Sequence, residues 1–176
     1  KSLSPESKPL FVQKLKSLIQ PKLKNFLNES HGNHIIQKFA EEIPEENEFL
    51  ISFCQDNFVQ FLNHRFGCCT FQKIYINSSQ EQKKKFVSLI ESNFTKLIYG
   101  EYGNFAFQFL LTNEDKQTNL EVLRCLLPQL EKICLQKYSC NVIEKLFESD
   151  FPEAHKIVIM EITKREEFIL NLAESR

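Results

Sequence analysis

Tryptophan is absent from this sequence, and its 176 residues include only four Gly, six Pro and one Met. So few turn-forming residues argue against an all-β protein, which needs a tight turn after almost every strand. Apolar residues instead recur at helical spacing over long stretches. The sequence therefore predicts an all-α protein, in which 17 Phe provide most of the aromatic side chains.

An excess of positive charge is also missing, because 22 Lys and Arg are balanced by 23 Asp and Glu for a net charge of −1. A protein that binds double-stranded DNA through its phosphates normally carries a basic surface. That class of partner is therefore disfavoured, and any binding of nucleic acid has to depend on a local surface.

The sequence contains neither an apolar run long enough to span a membrane nor a secretory signal at its N-terminus. Its six Cys form no CxxC pair and no zinc-ligand spacing, which is typical of reduced thiols in a cytoplasmic protein. We also find no phosphate-binding loop, paired catalytic carboxylates or cofactor motif. We therefore expect neither an enzyme nor a protein with a metal ion or other cofactor.

Four segments of the sequence resemble one another at a nearly constant spacing. They read HGNHIIQKF from residue 31, FGCCTFQKI from 66, YGNFAFQFL from 102 and YSCNVIEKL from 138. The third residue of each segment, here named position one, is Asn33, Cys68, Asn104 or Cys140, at intervals of 35, 36 and 36 residues. This regularity indicates a repeat array, in which neighbouring units stack into a solenoid with one continuous core.

Matched columns on both sides of position one predict the structure of a unit. Apolar residues recur seven, ten and fourteen positions upstream, and the residue just before position one is Gly32, Gly67, Gly103 or Ser139. Each unit is therefore predicted to contain one or two upstream helices, a junction marked by Gly or Ser, and a helix that begins near position one.

The helix that begins near position one is predicted to have an apolar and a polar side. At about 100° per residue, positions three, four and seven share one side and carry mostly apolar residues, which we expect in the core. Positions one, two and five share the opposite side and form what we name the polar wall. Its residues are, unit by unit, Asn33, His34 and Gln37; Cys68, Cys69 and Gln72; Asn104, Phe105 and Gln108; and Cys140, Asn141 and Glu144.

The polar wall is compatible with two kinds of partner. Short hydrogen-bonding side chains beside a flat group suit an unstacked base, whose edge needs donors and acceptors and whose face needs a flat partner. A HEAT- or armadillo-like solenoid that acts as a protein–protein interaction scaffold would also expose Asn and Gln. The pattern of residues alone leaves both interpretations open.

The motifs GNHIIQK, GCCTFQK, GNFAFQF and SCNVIEK resemble the recognition-helix signature of the Pumilio/FBF (PUF) family of single-stranded RNA-binding proteins. The resemblance implies a right-handed superhelical α-solenoid in which each repeat reads one base. In that family, positions one and five bond to the edge of a base, and position two stacks between bases. We expect a flexible leader over residues 1–10 and a repeat domain over residues 11–176, with recognition helices that begin near residues 33, 68, 104 and 140.

Carried over unit by unit, the resemblance implies a short RNA sequence. Two units resemble uracil readers, one an adenine reader and one a guanine reader. The pairs are Asn33 with Gln37 and Asn104 with Gln108 for uracil, Cys68 with Gln72 for adenine, and Cys140 with Glu144 for guanine. Because family members run antiparallel to their RNA, the four units imply 5′-GUAU-3′ within a UGUA-type element.

The resemblance also implies roles for flanking side chains. The expected base-stacking groups are His34, Cys69, Phe105 and Asn141, and the candidate phosphate contacts are Lys38, Lys73 and Lys145. Cys69 and Asn141 offer little flat surface, so we expect weaker binding than that of a full array.

The order of the units resembles the fourth to seventh repeats of an eight-repeat array. Residues 157–170 resemble the opening helix of a fifth unit, with Phe168, Ile169 and Leu170 exposed, so we expect a fragment of a longer array. The resemblance implies a monomer that binds mRNA 3′ untranslated regions and regulates translation or mRNA stability. Regulatory proteins are expected on its convex face.

Overall fold

The computed structural model describes residues 8–164 and 166–174, and within these ranges it contains α-helices, short 3₁₀ turns and no β-strand. The α-helices are α1 (Lys8–Ile19), α2 (Leu23–Asn28), α3 (Gly32–Glu42), α4 (Glu48–Leu62), α5 (Arg65–Ile76), α6 (Gln80–Ser92), α7 (Phe94–Ile98), α8 (Asn104–Asn113), α9 (Lys116–Leu126), α10 (Leu130–Leu135), α11 (Cys140–Glu148), α12 (Pro152–Thr163) and α13 (Glu166–Glu174). The predicted all-α, right-handed superhelical solenoid is confirmed. None of the described helices is both long enough and apolar enough to cross a membrane.

Each unit ends in a helix that carries the polar wall. These helices are α3, α5, α8 and α11, which we name the wall helices; they begin at position one or up to three residues before it. Helix α3 packs against α5, α5 against α8, and α8 against α11. The polar walls of successive units therefore lie side by side. After α11 the chain continues with α12 and α13.

The upstream part of each unit is divided by the same break in backbone conformation. Values of φ between −123° and −113° and of ψ between 10° and 19° occur at Lys22, Asn57, Asn93 and Gln129. Asn57 and Asn93 donate from their side-chain amides to the carbonyls of Phe53 and Leu89, at 3.2 and 2.9 Å. Local bonds of this kind compete with helical structure. The break ends a helix in three units and kinks α4 in the second.

Each wall helix starts in close contact with the segment before it. A Cβ atom on Gly67 would overlap the carbonyl oxygen of Phe61, and comparable overlaps occur at the matching glycines. In the fourth unit Ser139 takes this place, and its hydroxyl donates to the Ile133 carbonyl at 2.9 Å. The Gly or Ser column is therefore explained by a close approach between two backbone segments.

The core runs from Val12 in α1 to Phe168 in α13, and it contains positions four and seven of all four wall helices. Position three is buried in the last three units, but Ile35 in the first is 48% exposed although the sequence predicted it in the core. This position faces the preceding unit, as shown by Thr70, whose hydroxyl lies 3.4 Å from Gln37 Nε2. Among the described residues no wall helix precedes α3, so none covers Ile35.

The predicted exposure of the C-terminal apolar residues is correct for two of the three. Ile169 and Leu170 are exposed, whereas Phe168 is buried. Residues 157–170 do not form one helix, because α12 ends at Thr163 and α13 begins at Glu166. The second of these helices packs against α10, and this contact turns Phe168 into the core.

Gly67→Ala is expected to lower the free energy of unfolding by roughly 1–3 kcal/mol, because the added methyl group overlaps the Phe61 carbonyl. Ser139→Ala is the matched control, since a Cβ atom already fits there and only a hydroxyl bond of roughly 1 kcal/mol is lost. Urea unfolding followed by circular dichroism measures both. A smaller effect for Gly67→Ala than for Ser139→Ala would contradict the close-approach explanation.

Candidate nucleic-acid interface

The position-one asparagines lie beneath the surface of the polar wall rather than on it. Asn33 is 2% exposed and Asn104 is 1% exposed. Asn104 Nδ2 donates to the carbonyls of Gly100 and Glu101 at 2.8 and 3.0 Å, and Asn33 makes the equivalent bonds at 2.7 and 2.8 Å. The helical wheel placed these side chains on the exposed side. They are buried because they bend back toward the carbonyls of their own junction.

These bonds fix the orientation of both amides in the first and third units. A carbonyl only accepts, so the nitrogen of Asn104 faces the junction and its Oδ1 faces Gln108. Gln108 Nε2 donates to this oxygen at 2.6 Å, and Gln37 Nε2 donates to Asn33 Oδ1 at 2.8 Å. Gln108 therefore presents Oε1 as an acceptor and its second N–H as a donor, in a defined order. In Gln37 the second N–H lies near the hydroxyl of Thr70.

The second and fourth units have a thiol where the other two have an amide. Cys68 Sγ donates to the Arg65 carbonyl at 3.3 Å, and Cys140 Sγ donates to the Lys137 carbonyl at 3.4 Å. Burial raises the pKa of Cys68 to about 12, so that it stays a protonated thiol. Neither thiol forms a hydrogen bond with position five of its unit. Within the described part of the chain, the side chains of Gln72 and Glu144 have no hydrogen-bond or ion-pair partner.

Position two is exposed in three of the four units, and Glu144 at position five is exposed as well. His34 and Cys69 are exposed, Asn141 is half-buried, and Phe105 is 40% exposed. An exposed phenyl ring does not contribute its full apolar area to the stability of the fold. The ring of Phe105 is therefore free to stack on a flat partner.

All three candidate phosphate-binding lysines form ion pairs within the protein. Lys38 and Lys73 bind the two oxygens of Glu41 at 2.7 and 2.9 Å, and Lys145 binds Glu148 at 2.9 Å. In the third unit the equivalent residue is the buried Phe109. In every unit that has a lysine at this position, a carboxylate therefore neutralises its charge.

Two of these ion pairs change the pKa of Glu41. Hydrogen bonds from Lys38 and then from Lys73 lower its pKa from 4.5 to about 2. Lys38, in turn, has its pKa raised by the hydrogen bond to Glu41. Because the Glu41–Lys73 pair joins α3 to α5, the charge of Glu41 couples the first two units.

Asn63 positions the third wall helix and was not predicted from the sequence. Its Oδ1 accepts from the backbone N–H of Gly103 at 3.1 Å, and its Nδ2 donates to the Lys96 carbonyl at 3.0 Å. Asn63 lies in the junction of the second unit, so it ties that junction to the next. In the fourth unit Gln136 holds the junction, accepting from the backbone N–H groups of Tyr138 and Ser139. The column of Asn63 reads Asn28, Asn63, Tyr99 and Leu135, so the sequence does not keep this residue in every unit.

The fold and the wall together define an α-solenoid that presents a hydrogen-bonding surface once per unit. A family model described as a Pumilio-family RNA binding repeat matches residues 30–51, 57–90 and 129–163, more than half of the chain. The chain therefore belongs to the Pumilio (PUF) family, as the resemblance of its motifs predicted. The matched ranges contain α3, α5 and α11, whereas α8 lies outside them.

Two proteins of Arabidopsis thaliana are similar in sequence. Putative pumilio homolog 8, chloroplastic, is 29% identical over 152 residues, which cover 86% of this chain and 29% of that protein. Putative pumilio homolog 10 is 27% identical over 152 residues, which cover 84% of this chain and 28% of that protein. The chain thus spans less than a third of the length of these relatives.

Solved structures of PUF proteins share the fold. The structure of a Puf4 mutant bound to the Cox17 RNA 3′ UTR recognition sequence has a TM-score of 0.86 at 23% identity, covering 99% of this chain and 58% of that one. The structure of PUF-8 in complex with PBE-RNA has a TM-score of 0.80 at 23% identity, covering 90% and 47%. At these identities the similarity concerns the fold.

The carboxyl carbon of Glu41 is expected to titrate near pH 2 in a ¹³C NMR experiment, because the two lysines stabilise its charged form. In the folded protein the ion pairs persist until the pH falls to about 2. Their contribution to the free energy of unfolding is complete above about pH 4.5 and is lost as the pH falls from there toward 2. Lys38→Gln should raise the pKa of Glu41 more than Lys73→Gln. If neither substitution moves the midpoint, the ion pairs do not form in solution.

Proposed function

We propose that this chain binds single-stranded RNA in a sequence-specific manner, with one base opposite each wall helix. The observation that carries the proposal is the fixed amide order in Asn104–Gln108 and Asn33–Gln37, repeated at the family's spacing. A wall that only faced solvent would not need buried amides that hold a neighbouring amide in one orientation. A base edge does need donors and acceptors in a defined order.

The first and third units are proposed to read uracil. The edge of uracil has an N–H donor between two carbonyl acceptors, so Oε1 of Gln108 can accept while its second N–H donates. Asn104 stabilises this orientation from beneath the wall surface. Asn33 and Gln37 are proposed to do the same, with the N–H near Thr70 turning toward the base.

The second and fourth units are proposed to read adenine and guanine. Cys68 forms no hydrogen bond with Gln72, so the Gln72 amide is free to turn. It can then donate to the ring nitrogen of adenine and accept from its amino group. Glu144 is exposed and lacks a cationic partner among the described residues. Its carboxylate can accept from two adjacent N–H groups of guanine, a strong charge-assisted arrangement near Cys140.

The stacking groups and the RNA orientation complete the proposal. Phe105 and His34 are proposed to stack between bases, with smaller contributions from Cys69 and Asn141. The order of the units then favours 5′-GUAU-3′ within a UGUA-type element. By analogy with the Puf4 complex, whose RNA is a 3′ UTR recognition sequence, the target class is mRNA 3′ untranslated regions.

The biological outcome follows from the proposed target. Binding to an mRNA 3′ untranslated region would regulate its translation or stability in the cytoplasm, through proteins recruited to the convex face. In this proposal the chain binds RNA as a monomer.

Fluorescence anisotropy with a labelled UGUAUAUA RNA, and with the same RNA changed from UGU to ACA, tests the proposed function at fixed salt. We expect clear preference for the UGU sequence, because each mismatched edge leaves polar groups unpaired. Equal and salt-sensitive binding of the two RNAs would show that the wall binds phosphates and does not discriminate between bases. No binding by a folded chain would favour a protein-binding solenoid instead.

Glu144→Gln is expected to shift the preference at the first read base from guanine toward uracil. The substitution replaces two acceptor oxygens by one acceptor and one donor, so it removes one bond to guanine and adds one to uracil. The change in relative affinity is expected to be roughly tenfold, the value of one charge-assisted bond. Asp150→Asn, which removes an exposed carboxylate six residues further along the chain, is the control for lost charge. Unchanged preference in Glu144→Gln would contradict the assignment of this unit.

A further inference from the structure

Three lysines lie beside the polar wall, one helical turn after position two. Two glutamates form ion pairs with all three of them. Glu41 binds Lys38 and Lys73 through separate oxygens, and Glu148 binds Lys145. The lysines are largely exposed, with side-chain exposures from 36% to 71%, and Glu41 is 25% exposed. A phosphate could therefore reach each lysine, but it would meet a carboxylate already bound there.

The arrangement repeats where the sequence permits it. In the first and fourth units the glutamate follows the lysine by three residues, a spacing that brings the two side chains together on a helix. In the second unit the residue three after Lys73 is Ile76, and Lys73 instead reaches Glu41 of the preceding unit. The lysine column is thus paired in all three units, by two different routes.

The pairs lie next to the groups that are proposed to hold RNA. Lys38 follows His34 by four residues, and Glu41 follows Gln37 by four, so each pair continues the wall by one helical turn. An RNA strand stacked on position two would bring its phosphates toward these lysines. The same phosphates would be repelled by Glu41 and Glu148.

We propose that Glu41 and Glu148 are specificity-determining residues that mask the wall lysines and so suppress binding of RNA of the wrong sequence. This inference rests on the proposed function. Contacts from lysine to phosphate add affinity to every RNA equally, because the phosphates carry no sequence information. Masking them makes the affinity depend on the base edges that are read by positions one and five.

A purely structural role for Glu41 makes a different prediction. The Glu41–Lys73 pair could simply tie α3 to α5, but exposed ion pairs contribute little to stability, and these helices also pack directly against each other. A structural tie would affect the melting temperature, and weakening it would lower the affinity for the UGU RNA. Masking instead predicts higher affinity for mismatched RNA and a steeper dependence on salt.

The test compares Glu41→Gln with Glu42→Gln, which removes the same charge from the adjacent exposed residue of α3. Both RNAs described above are titrated at several salt concentrations. Glu41→Gln is expected to tighten binding of the ACA RNA by roughly three- to fivefold, and to lower the ratio of UGU to ACA affinity. Two freed lysines should steepen the slope of log affinity against log salt by roughly 1.4, and Glu148→Gln should steepen it by roughly 0.7.

Lys38→Gln and Lys73→Gln are then added to the Glu41→Gln protein. If they restore the original dependence on salt, the effect is due to these two lysines. Equal effects of Glu41→Gln and Glu42→Gln would show a general charge effect and overturn the inference. An unchanged slope in Glu41→Gln, with UGU preference intact in the original protein, would overturn the inference alone. Loss of UGU preference in the original protein would instead overturn the proposed function, and this inference with it.

Discussion

The close contact between the start of each wall helix and the segment before it is the constraint on which the interface depends. Gly67 lies against the Phe61 carbonyl, and Ser139 bonds to the carbonyl that a bulkier side chain would displace. This contact holds the junction so that its carbonyls face the first turn of the wall helix. Asn104 donates to two of these carbonyls, and its oxygen accepts from Gln108, which fixes the orientation of the Gln108 amide. A packing constraint thus determines which atoms the wall presents.

Amides and thiols at position one give the units different properties. An amide that is already oriented, as in Gln108, loses less conformational freedom when a partner binds. It also discriminates more strongly, because a mismatched partner leaves buried polar atoms unpaired. Gln72 lies beside the thiol of Cys68 and can present either order of donor and acceptor. The array therefore combines two units with oriented amides, one adaptable unit with Gln72, and one unit in which Glu144 offers acceptors only.

The sequence predicted those features that repeat along the chain. The spacing of Asn104 and Cys140 located the wall helices, and the helical period identified the buried positions four and seven. The burial of position one was missed because a helical wheel treats each side chain as a radial spoke, whereas Asn104 bends back to its junction. Asn63 was missed because its partner Gly103 lies 40 residues away and because Asn occurs in this column in only two of the four units. Ile35 was misplaced because periodicity does not show which neighbour covers a side chain.

The charge of the wall decides where the free energy of the proposed RNA binding must come from. Stacking a base on an aromatic ring such as Phe105 contributes roughly 1–3 kcal/mol, whereas an exposed ion pair contributes roughly 0–1 kcal/mol. Because Glu41 already occupies two of the lysines, a phosphate gains less still. Base edges and stacking therefore outweigh the backbone contacts. A surface of this kind favours discrimination over affinity, because contacts to phosphates would strengthen the binding of matched and mismatched RNA alike.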